Sequence, residues 1–193
     1  SFPTRRSSDL FDIANEAVNK GAEVILVTGP THLNVQNSAI KLIRVTSAQE
    51  MFDACHEFYN SVDVAIAAAA VADYRPKNVA EQKIKKNEAT FSIELEKTKD
   101  ILASLGEQKK KQFLIGFALE TENEIEHAKQ KIQKKNLDLI VLNSLNDKGA
   151  GFGLPTNKVT FISKDFIVEP KELKSKEEVA QDIINKVIQF YDA

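Results

Sequence analysis

The sequence predicts an α/β fold: a doubly wound, mostly parallel sheet flanked by helices, followed by a C-terminal β-hairpin and a final helix. Short apolar runs alternate with amphipathic helical segments over residues 11–143, and such alternation produces right-handed βαβ units. Residues 62–69 are apolar on both faces, which is usual for parallel strands covered by helices. Near the C-terminal end, two strand-like runs flank Lys164-Asp165, a pattern that indicates a hairpin.

Turn and cap signals divide the chain into its elements. Gly21 is a typical stop after the first helix, and Gly29-Pro30 closes the first strand. Ser47 and Ser175 are each followed three residues later by a glutamate, which is the capping-box pattern that opens a helix. The predicted helices span residues 11–20, 47–59, 100–111, 122–136 and 175–191. The predicted strands span residues 23–28, 40–46, 62–69, 91–95, 113–118, 137–143, 157–162 and 166–168.

Composition limits the class of protein. A chain of 193 residues suits a single domain with a full core. The net charge of −2 argues against a nucleic-acid partner, which usually meets a basic surface. Cys55 is the only cysteine, so an intrachain disulfide is excluded and a reducing compartment fits. The longest apolar run, residues 64–72, is too short to span a bilayer. We therefore expect a cytoplasmic protein with no membrane contact.

The first ten residues do not fit this pattern. They show neither helical nor strand periodicity, and the chain does not begin with Met. We interpret residues 1–10 as a non-native leader that resembles translated sequencing-adapter read-through, and residues 11–193 as the domain. An irregular N-terminal arm is the alternative.

A run of small apolar residues ends in a carboxylate at residues 67–73. This run, Ala-Ala-Ala-Ala-Val-Ala-Asp, follows the third predicted strand. Small side chains at the carboxyl end of a buried strand let a ligand approach the backbone, and ligands of doubly wound sheets bind beyond these ends. Asp73 can hold a Mg²⁺ ion or a ribose hydroxyl there. Alternatively, the run only packs against a helix and Asp73 caps the next turn; the residues alone leave both interpretations open.

Lysines at three further positions can neutralise phosphates. Lys83 opens the Lys-Ile-Lys-Lys segment in a polar loop, from which it can reach a phosphate as a point charge. Lys131 and Lys135 stand four residues apart on a predicted helix, so they share a face. Like charges at that spacing cost about 0.2–0.5 kcal/mol, and a bound polyanion would reverse the cost. The alternative in both places is a solvated lysine-rich face. The predicted apolar stripe of this helix is Ile125, Ala128 and Ile132.

Two more positions can contribute to a ligand site. Phe117 follows Gly116 near the end of a buried strand, where its ring can contact a base or ribose or can fill the core. Asp100 is expected at a helix N-terminus, as a capping carboxylate beside N–H groups that can bind an anion. Cys55 is interpreted as a core thiol, and the three histidines show no metal-ligand spacing. The sequence contains no dinucleotide-binding glycine fingerprint, P-loop or nucleophile elbow.

Seven segments, taken in order and spacing, resemble the phosphopantothenate–cysteine ligase domain, commonly the C-terminal half of the bifunctional coenzyme A biosynthesis protein. The resemblance runs from about residue 11 to the C-terminus. The segments are GAEVILVTGP at residues 21–30, AAAVADYRP at 68–76, KIKK at 83–86, KTKDI at 97–101, GFALET at 116–121, KNLD at 135–138, and GFG with NKV at 151–159.

The resemblance implies an activity. Such a domain activates 4′-phosphopantothenate with CTP and Mg²⁺ to an acyl-cytidylate, and L-cysteine then attacks to give 4′-phosphopantothenoylcysteine. It implies a homodimer, with a larger oligomer for a parent that carries a decarboxylase half using FMN. Lys83 is the candidate catalytic residue and Asp73 the candidate Mg²⁺ ligand. The implied nucleotide-binding residues are Ala67, Ala68, Ala69, Asp73, Lys83, Lys99, Asp100, Ile101, Leu102, Phe117, Lys131 and Lys135.

Two departures from the family pattern stand out. Family members open with a strand, a Gly-Gly-Thr loop and an Asn-x-Ser-Ser-Gly-Lys segment, whose asparagine is expected to stabilise the acyl-cytidylate. Residues 1–10 stand in that place without matching it, so we expect the first strand and this loop to be missing and the activity of the fragment to be impaired. Lys99 stands where the family usually has proline before Asp100, which changes local stiffness.

Two other classes of function are alternatives. A nicotinamide-dependent Rossmann oxidoreductase would share the alternating pattern, although the glycine fingerprint of that class is missing. A non-catalytic assembly domain would use residues 149–168 mainly to pair subunits, since a bare hairpin edge favours pairing.

Overall fold

The computed structural model describes residues 7–69, 71–77, 92–144 and 156–192. The helices are α1 (Ser7–Asn19), α2 (Ala48–Tyr59), α3 (Ile101–Gln108), α4 (Glu124–Lys134) and α5 (Lys176–Tyr191). The longer strands are β1 (Val24–Thr28), β2 (Ile40–Arg44), β3 (Val64–Ala67), β6 (Phe113–Glu120), β7 (Leu139–Ser144) and β9 (Val159–Ser163). The short strands are β4 (Tyr74–Pro76), β5 (Leu95–Lys97), β8 (Thr156–Asn157), β10 (Val168–Pro170) and β11 (Lys174–Ser175).

The central sheet has five strands in the order β10-β9-β7-β6-β3. Strands β3, β6 and β7 run parallel, while β9 and β10 are antiparallel neighbours and form the predicted hairpin. Strands β1 and β2 form a separate parallel pair, with Val24 opposite Ile40. The predicted fold class, a mostly parallel sheet flanked by helices with a C-terminal hairpin and a final helix, is therefore confirmed.

The core lies on both faces of the five-stranded sheet. Successive side chains of β6 point to opposite faces, as strand geometry requires: Ile115 packs with α1 and α5, and Leu114 packs with α2, α3 and α4. Both side chains are fully buried, and burying one such residue stabilises the fold by about 1.5–3 kcal/mol. These helices therefore hold the sheet from two sides and leave its strand ends open.

The two predicted capping boxes are present. Ser47 accepts a hydrogen bond from the Glu50 N–H, and the Glu50 carboxylate accepts one from the Ser47 N–H. Ser175 and Glu178 make the same reciprocal pair at the start of α5. The backbone and side-chain bonds from Thr46 and Ser47 hold the pKa of Glu50 below its usual value. Local sequence alone therefore sets where these two helices begin.

Helix α1 begins earlier than the sequence predicted. It starts at Ser7 rather than residue 11, so the expectation that residues 7–10 lack helical structure is wrong. The reason is tertiary: Asp9 lies 2.8 Å from the Lys176 ammonium of α5, and Leu10 packs beside Phe11. The interpretation of residues 1–10 as a non-native leader stays a prediction, and residues 1–6 lie outside the described residues.

The structure differs from three smaller predictions as well. The strand predicted at residues 91–95 is β5, which begins at Leu95 because its partner in an antiparallel pair is β4. The helix predicted to reach residue 111 ends at Gln108. Ile125, placed by the sequence in the apolar stripe of α4, is 43% exposed, because the buried stripe is formed by Ala128 and Ile132 and Ile125 lies in the first turn. Among the described helices, none is long and apolar enough to cross a membrane.

Candidate functional site

A cavity of about 600 Å³ opens where β3 and β6 end. The carboxyl ends of parallel strands are where ligands bind in doubly wound sheets. Four separate stretches of chain meet around this opening. They are residues 67–69 after β3, residues 97–102 before and within α3, Phe117 of β6, and Lys135 at the end of α4. Asp73 lines the same cavity from the segment that leads into β4.

Small residues bring the backbone close to this opening. Ala67 of β3 pairs with Gly116 of β6, and Ala68 is buried while Ala69 is exposed. A Cβ at Gly116 would lie 2.8 Å from Leu102 and 2.9 Å from Leu137 side-chain atoms. Gly116 therefore lets the first turn of α3 approach the sheet, which fixes the helix N-terminus beside the strand ends.

Asp100 caps helix α3 and pairs with Lys135. Its side chain accepts a hydrogen bond from the Ala103 N–H at 3.0 Å, and its Oδ2 lies 2.8 Å from Lys135 Nζ. Burial raises the pKa of Asp100, but the bonds from Lys135 and Ala103 outweigh it and hold the pKa below its usual value. The carboxylate is thus ionised at neutral pH. The N-terminus of a helix also offers N–H groups and a partial positive charge to an anion.

The loop that carries Asp73 is tied to the segment before α3. The Thr98 N–H donates to the Asp73 carbonyl at 2.9 Å, and the Thr98 hydroxyl donates to the Ala72 carbonyl. The antiparallel pair of β4 and β5 continues this connection, with Tyr74 opposite Lys97. The Asp73 side chain is exposed at the cavity. Within the described ranges, its carboxylate has no hydrogen bond or ion pair, so it can accept a ligand.

The predicted lysines do not all lie at the cavity. Lys135 lines it. Lys131 lies apart from the cavity lining and pairs with Glu120 at the end of β6, and His127 Nδ1 lies 3.6 Å from the same carboxylate. Lys131 and Lys135 are therefore each paired with a carboxylate, and a polyanion is not needed to offset their repulsion. Lys83, with its neighbours Lys85 and Lys86, lies outside the described residues.

Phe117 lies between the core and the cavity. Its ring is partly buried, packs against the core beside α1 and α5, and also lines the cavity. Lys99, also predicted in the site, has its ammonium 4.5 Å from the centre of the Phe52 ring. A cation over an aromatic face is attracted to it. The cavity wall therefore combines an aromatic face with cations held in fixed positions.

A magnesium site is restricted to few protein ligands. Among the described residues, no group of three His, Cys, Asp or Glu side chains could hold a metal ion. Mg²⁺ usually keeps several waters and binds one or two carboxylates together with substrate phosphates. Asp73, an exposed carboxylate at the cavity, fits that mode of binding. The donor set does not fit a metal held only by the described residues.

Sequence reasoning did not identify the apolar part of the cavity. Its walls include Ile25 and Val27 of β1, Phe58 and Cys55 of α2, and Ile66 of β3. Burial raises the pKa of the Cys55 thiol to about 11, so it is a protonated thiol at neutral pH, in line with its interpretation as a core residue. Thr98 and Glu120 were also not identified as contacts, although both lie in segments that carry the resemblance. Their roles depend on partners distant in sequence.

Comparison with known proteins identifies relatives of the chain. A family model described as "DNA/pantothenate metabolism flavoprotein C-terminal domain" matches residues 7–191. The chain is 42% identical over 177 residues to the "Coenzyme A biosynthesis bifunctional protein CoaBC" of Bacillus subtilis (strain 168), covering 92% of this chain and 44% of that protein. It is 50% identical over 177 residues to a "Cysteine/Cysteine sulfinic acid decarboxylase" of an unknown prokaryotic organism, covering 91% of this chain and 49% of that protein.

A solved structure has the same fold. The crystal structure of the C-terminal domain of a coenzyme A biosynthesis bifunctional protein CoaBC superposes with a TM-score of 0.80 at 45% identity, covering 96% of this chain and 84% of that one. The chain spans about half the length of the curated relatives it matches.

Proposed function

The chain belongs to the DNA/pantothenate metabolism flavoprotein C-terminal domain family, and on that basis we propose that it ligates 4′-phosphopantothenate to L-cysteine with CTP, as part of a larger coenzyme A biosynthesis protein. The family recognised in the sequence segments is thereby confirmed. The observation that carries the proposed activity is the convergence of residues 67–69, residues 99–102, Phe117 and Lys135 on one cavity at the strand ends.

The proposed reaction has two balanced steps. A carboxylate oxygen of 4′-phosphopantothenate attacks the α-phosphorus of CTP, the bond to the β-phosphate oxygen breaks, and pyrophosphate leaves. The cysteine amine then attacks the carbonyl carbon of the acyl-cytidylate, CMP leaves, and the nitrogen loses a proton as the amide forms. Negative charge gathers on phosphate oxygens in both steps. Fixed cations and N–H groups aimed at that charge are the main means by which an enzyme lowers such a barrier.

The residues at the cavity suit these charges. Lys135 lines the cavity 2.8 Å from Asp100, so a phosphate would compete with that carboxylate for the Lys135 ammonium. The first turn of α3 offers backbone N–H groups to a phosphate. Asp73 is the residue that would hold Mg²⁺, which would supply positive charge to the phosphates when bound. The alanine run lets the nucleotide lie against the backbone. Lys83 is proposed to neutralise charge in the transition state.

Several features of the parent protein belong to the same proposal. We propose a cytoplasmic homodimer, and a parent with a decarboxylase half that uses FMN, in keeping with the bifunctional name of CoaBC. The decarboxylase name of the other relative describes a protein of which the chain matches 49%. The asparagine expected to stabilise the acyl-cytidylate belongs to a segment that residues 1–10 do not match, so the 193-residue chain by itself is proposed to be impaired.

The experiment that tests this function uses the longer protein that carries this sequence. Lys83→Ala should lower CTP-dependent pyrophosphate release at least tenfold, because removing a cation that stabilises transition-state charge typically costs this much or more. The measurement is pyrophosphate released in the presence of 4′-phosphopantothenate and Mg²⁺. Lys110→Ala, an exposed lysine away from the cavity, is the control and should leave the rate unchanged. An unchanged rate in Lys83→Ala would remove this lysine from the mechanism.

A further inference from the structure

Lys99 adds a cation to the candidate site at a position where the family pattern has none. It stands in place of the usual proline, which has no charge to offer a ligand. Its side chain lines the cavity, and the next residue, Asp100, is the N-cap of α3. The contact that holds the Lys99 ammonium comes from α2, which carries none of the segments that resemble the family.

The Lys99 ammonium lies over an aromatic ring rather than beside a carboxylate. Its nitrogen is 4.5 Å from the centre of the Phe52 ring of α2, within the distance of about 6 Å over which the face of a ring attracts a cation. Within the part of the chain that the structure describes, Lys99 has no carboxylate partner. A neutral ring orients the ammonium without cancelling its charge. Lys135 differs, because the Asp100 carboxylate lies 2.8 Å from it and offsets its charge.

The Phe52 ring is itself held in place. It is stacked on the His56 ring, with 3.9 Å between the two ring centres and 21° between their planes. The two residues stand four positions apart on α2, so they share a face of the helix. Phe52 is also half-buried. A ring that is stacked and half-buried has little freedom to turn, so the face that it offers to Lys99 is fixed.

His56 connects this ring to helix α3. Its Nδ1 lies 2.8 Å from the Phe52 carbonyl oxygen, and its Nε2 lies 2.9 Å from the Ser104 hydroxyl. A carbonyl oxygen only accepts hydrogen bonds, so Nδ1 carries a proton and donates, and the neutral ring accepts from the Ser104 hydroxyl at Nε2. The Ser104 N–H donates to the Asp100 carbonyl at 3.0 Å in the first turn of α3. The same contacts therefore position the Phe52 ring and the helix start that Lys99 precedes.

We propose that Lys99 binds a phosphate group of the ligand in the cavity, and that Phe52 is the positioning residue that presents its ammonium. This inference rests on the proposed function, which has two phosphate-bearing substrates, CTP and 4′-phosphopantothenate. A lysine side chain is a point charge on a flexible stem, and holding it near its bound position lowers the entropy cost of ordering it when the ligand binds. The Phe52 ring supplies that order, and the charge of the ammonium stays available to a phosphate.

A double-mutant cycle on Lys99 and Phe52 tests the proposal in the longer protein that carries this sequence. Calorimetric titrations with CTP and Mg²⁺, and separately with 4′-phosphopantothenate, measure the dissociation constants of Lys99→Met, Phe52→Leu and the double variant. We expect Lys99→Met to weaken the binding of at least one of these ligands by about tenfold or more, because a hydrogen bond from an ammonium to a phosphate is charge-assisted. The ligand that is affected identifies the phosphate that Lys99 binds.

The positioning role of Phe52 has its own expected results. Phe52→Leu should weaken binding of the same ligand by about two- to fivefold, which is the effect of an exposed cation–π contact. Phe52→Tyr keeps the aromatic face and should bind like the parent. In the Lys99→Met background, Phe52→Leu should cause no further loss, because its effect depends on the Lys99 ammonium. A residue with only a structural role would weaken binding equally with and without Lys99.

Lys129→Met is the matched control. The Lys129 ammonium also lies over an aromatic ring, 5.7 Å from the centre of Phe166, but neither of these two residues lines the cavity. The affinities of this variant for both ligands should equal those of the parent protein. A loss in Lys99→Met that is absent in Lys129→Met therefore reports the cavity and not the general removal of a lysine.

Three outcomes would overturn the proposal or its premise. Equal affinities of Lys99→Met and the parent for both ligands would overturn it and leave the proposed function intact. Lys99 is exposed, so this variant decides the question even where Phe52→Leu does not fold. An equal loss from Phe52→Leu with and without Lys99 would overturn the positioning role of Phe52. A parent protein that binds neither ligand would overturn the proposed function, and with it the ligand assigned to Lys99.

Discussion

At the scale of single residues, the candidate site depends on the charged contact between Lys135 and Asp100. The two side chains are 2.8 Å apart, and Asp100 is fixed further by the Ala103 N–H. A phosphate that enters the cavity would compete with Asp100 for the Lys135 ammonium. Lys135 is 21% exposed as a side chain, so its charge is only partly screened by water and can act on a ligand.

Removing the charge of Lys135 should weaken nucleotide binding. We expect Lys135→Met to lower the affinity for CTP in the presence of Mg²⁺ by at least tenfold, because a hydrogen bond to a charged group contributes about 1.5–3 kcal/mol. Isothermal titration calorimetry measures the dissociation constant directly. Lys110→Met removes an exposed lysine outside the cavity and serves as the control. Equal affinities in the two variants would exclude Lys135 from the nucleotide site.

Asp12 should make the stability of the fold depend on pH. Burial first, and then the charges of Glu177 and Asp9, raise its pKa from 3.8 to about 6, against the opposing effect of Lys176. At a pH between these two pKa values, the Asp12 carboxyl is therefore protonated in the folded state and ionised in the unfolded state. The free energy of unfolding should fall as the pH rises from about 3.8 to about 6. Above that range the full destabilisation by the ionised Asp12 carboxylate is present.

Asp12→Asn should therefore stabilise the protein at neutral pH. We expect a gain of about 1 kcal/mol in the free energy of unfolding at pH 7.5, a value discounted because the side chain is partly exposed. The gain should be markedly smaller at pH 4. Urea unfolding at both pH values measures it, with the exposed Asp165→Asn as the control. A gain that is the same at both pH values would contradict the raised pKa.

At the scale of secondary-structure elements, the contact between α3 and the end of α4 positions the site. A Cβ at Gly106 would lie 1.9 Å from the Lys135 carbonyl oxygen, so glycine is required for this approach. The Asn136 side-chain amide donates to the Gly106 carbonyl at 3.0 Å, and Asn136 itself has a φ of 51°, which asparagine tolerates better than most residues. This contact fixes the distance between the α3 N-terminus and Lys135.

Gly106→Ala should push the two elements apart. The added methyl group meets backbone rather than a flexible side chain, so we expect a loss of about 1–3 kcal/mol in unfolding free energy, as is typical of overpacking. Chemical denaturation measures it. Glu107→Ala changes the neighbouring exposed residue of the same helix and should stay within about 0.5 kcal/mol of the parent. A Gly106→Ala protein as stable as the parent would show that this approach is not constrained.

Local signals made most of the helices and strands predictable. The capping boxes at Ser47 and Ser175 place two helix starts from four residues each, and alternation of apolar runs gives the parallel strands. Two features depend on residues that are distant in sequence, so they could not be predicted from local sequence. Helix α1 extends back to Ser7, where Asp9 meets Lys176, and β4 exists because residues 95–97 pair with it.

The candidate site was predictable in its location but not in all of its members. The alanine run, Asp73 and Asp100 follow strands or open helices, so their position at the strand ends follows from the fold. The roles of Lys131 and Lys135 could not be separated by their spacing. The carboxylates that pair with them, Glu120 and Asp100, lie on different elements. Only the folded chain shows that one lysine lines the cavity and the other does not.

At the scale of the whole molecule, two groups of elements meet at one cavity. The β1–β2 pair and the five-stranded sheet both border it, and α1 packs on both. The cavity lining combines charged residues, such as Asp73, Asp100 and Lys135, with apolar residues of β1, α2 and β3. This division suits a ligand whose polar end carries phosphates and whose binding depends on both sheets keeping their relative position.

The location of CTP binding tests the central claim most directly. Backbone amide chemical shifts, followed by NMR as CTP and Mg²⁺ are added to the chain, report which residues sense the ligand. The account predicts the largest changes at residues 67–69, at residues 99–102, at Phe117 and at Lys135, with small changes in the β9–β10 hairpin. Saturable changes that cluster elsewhere, or no changes at millimolar CTP, would contradict a nucleotide site at the ends of β3 and β6.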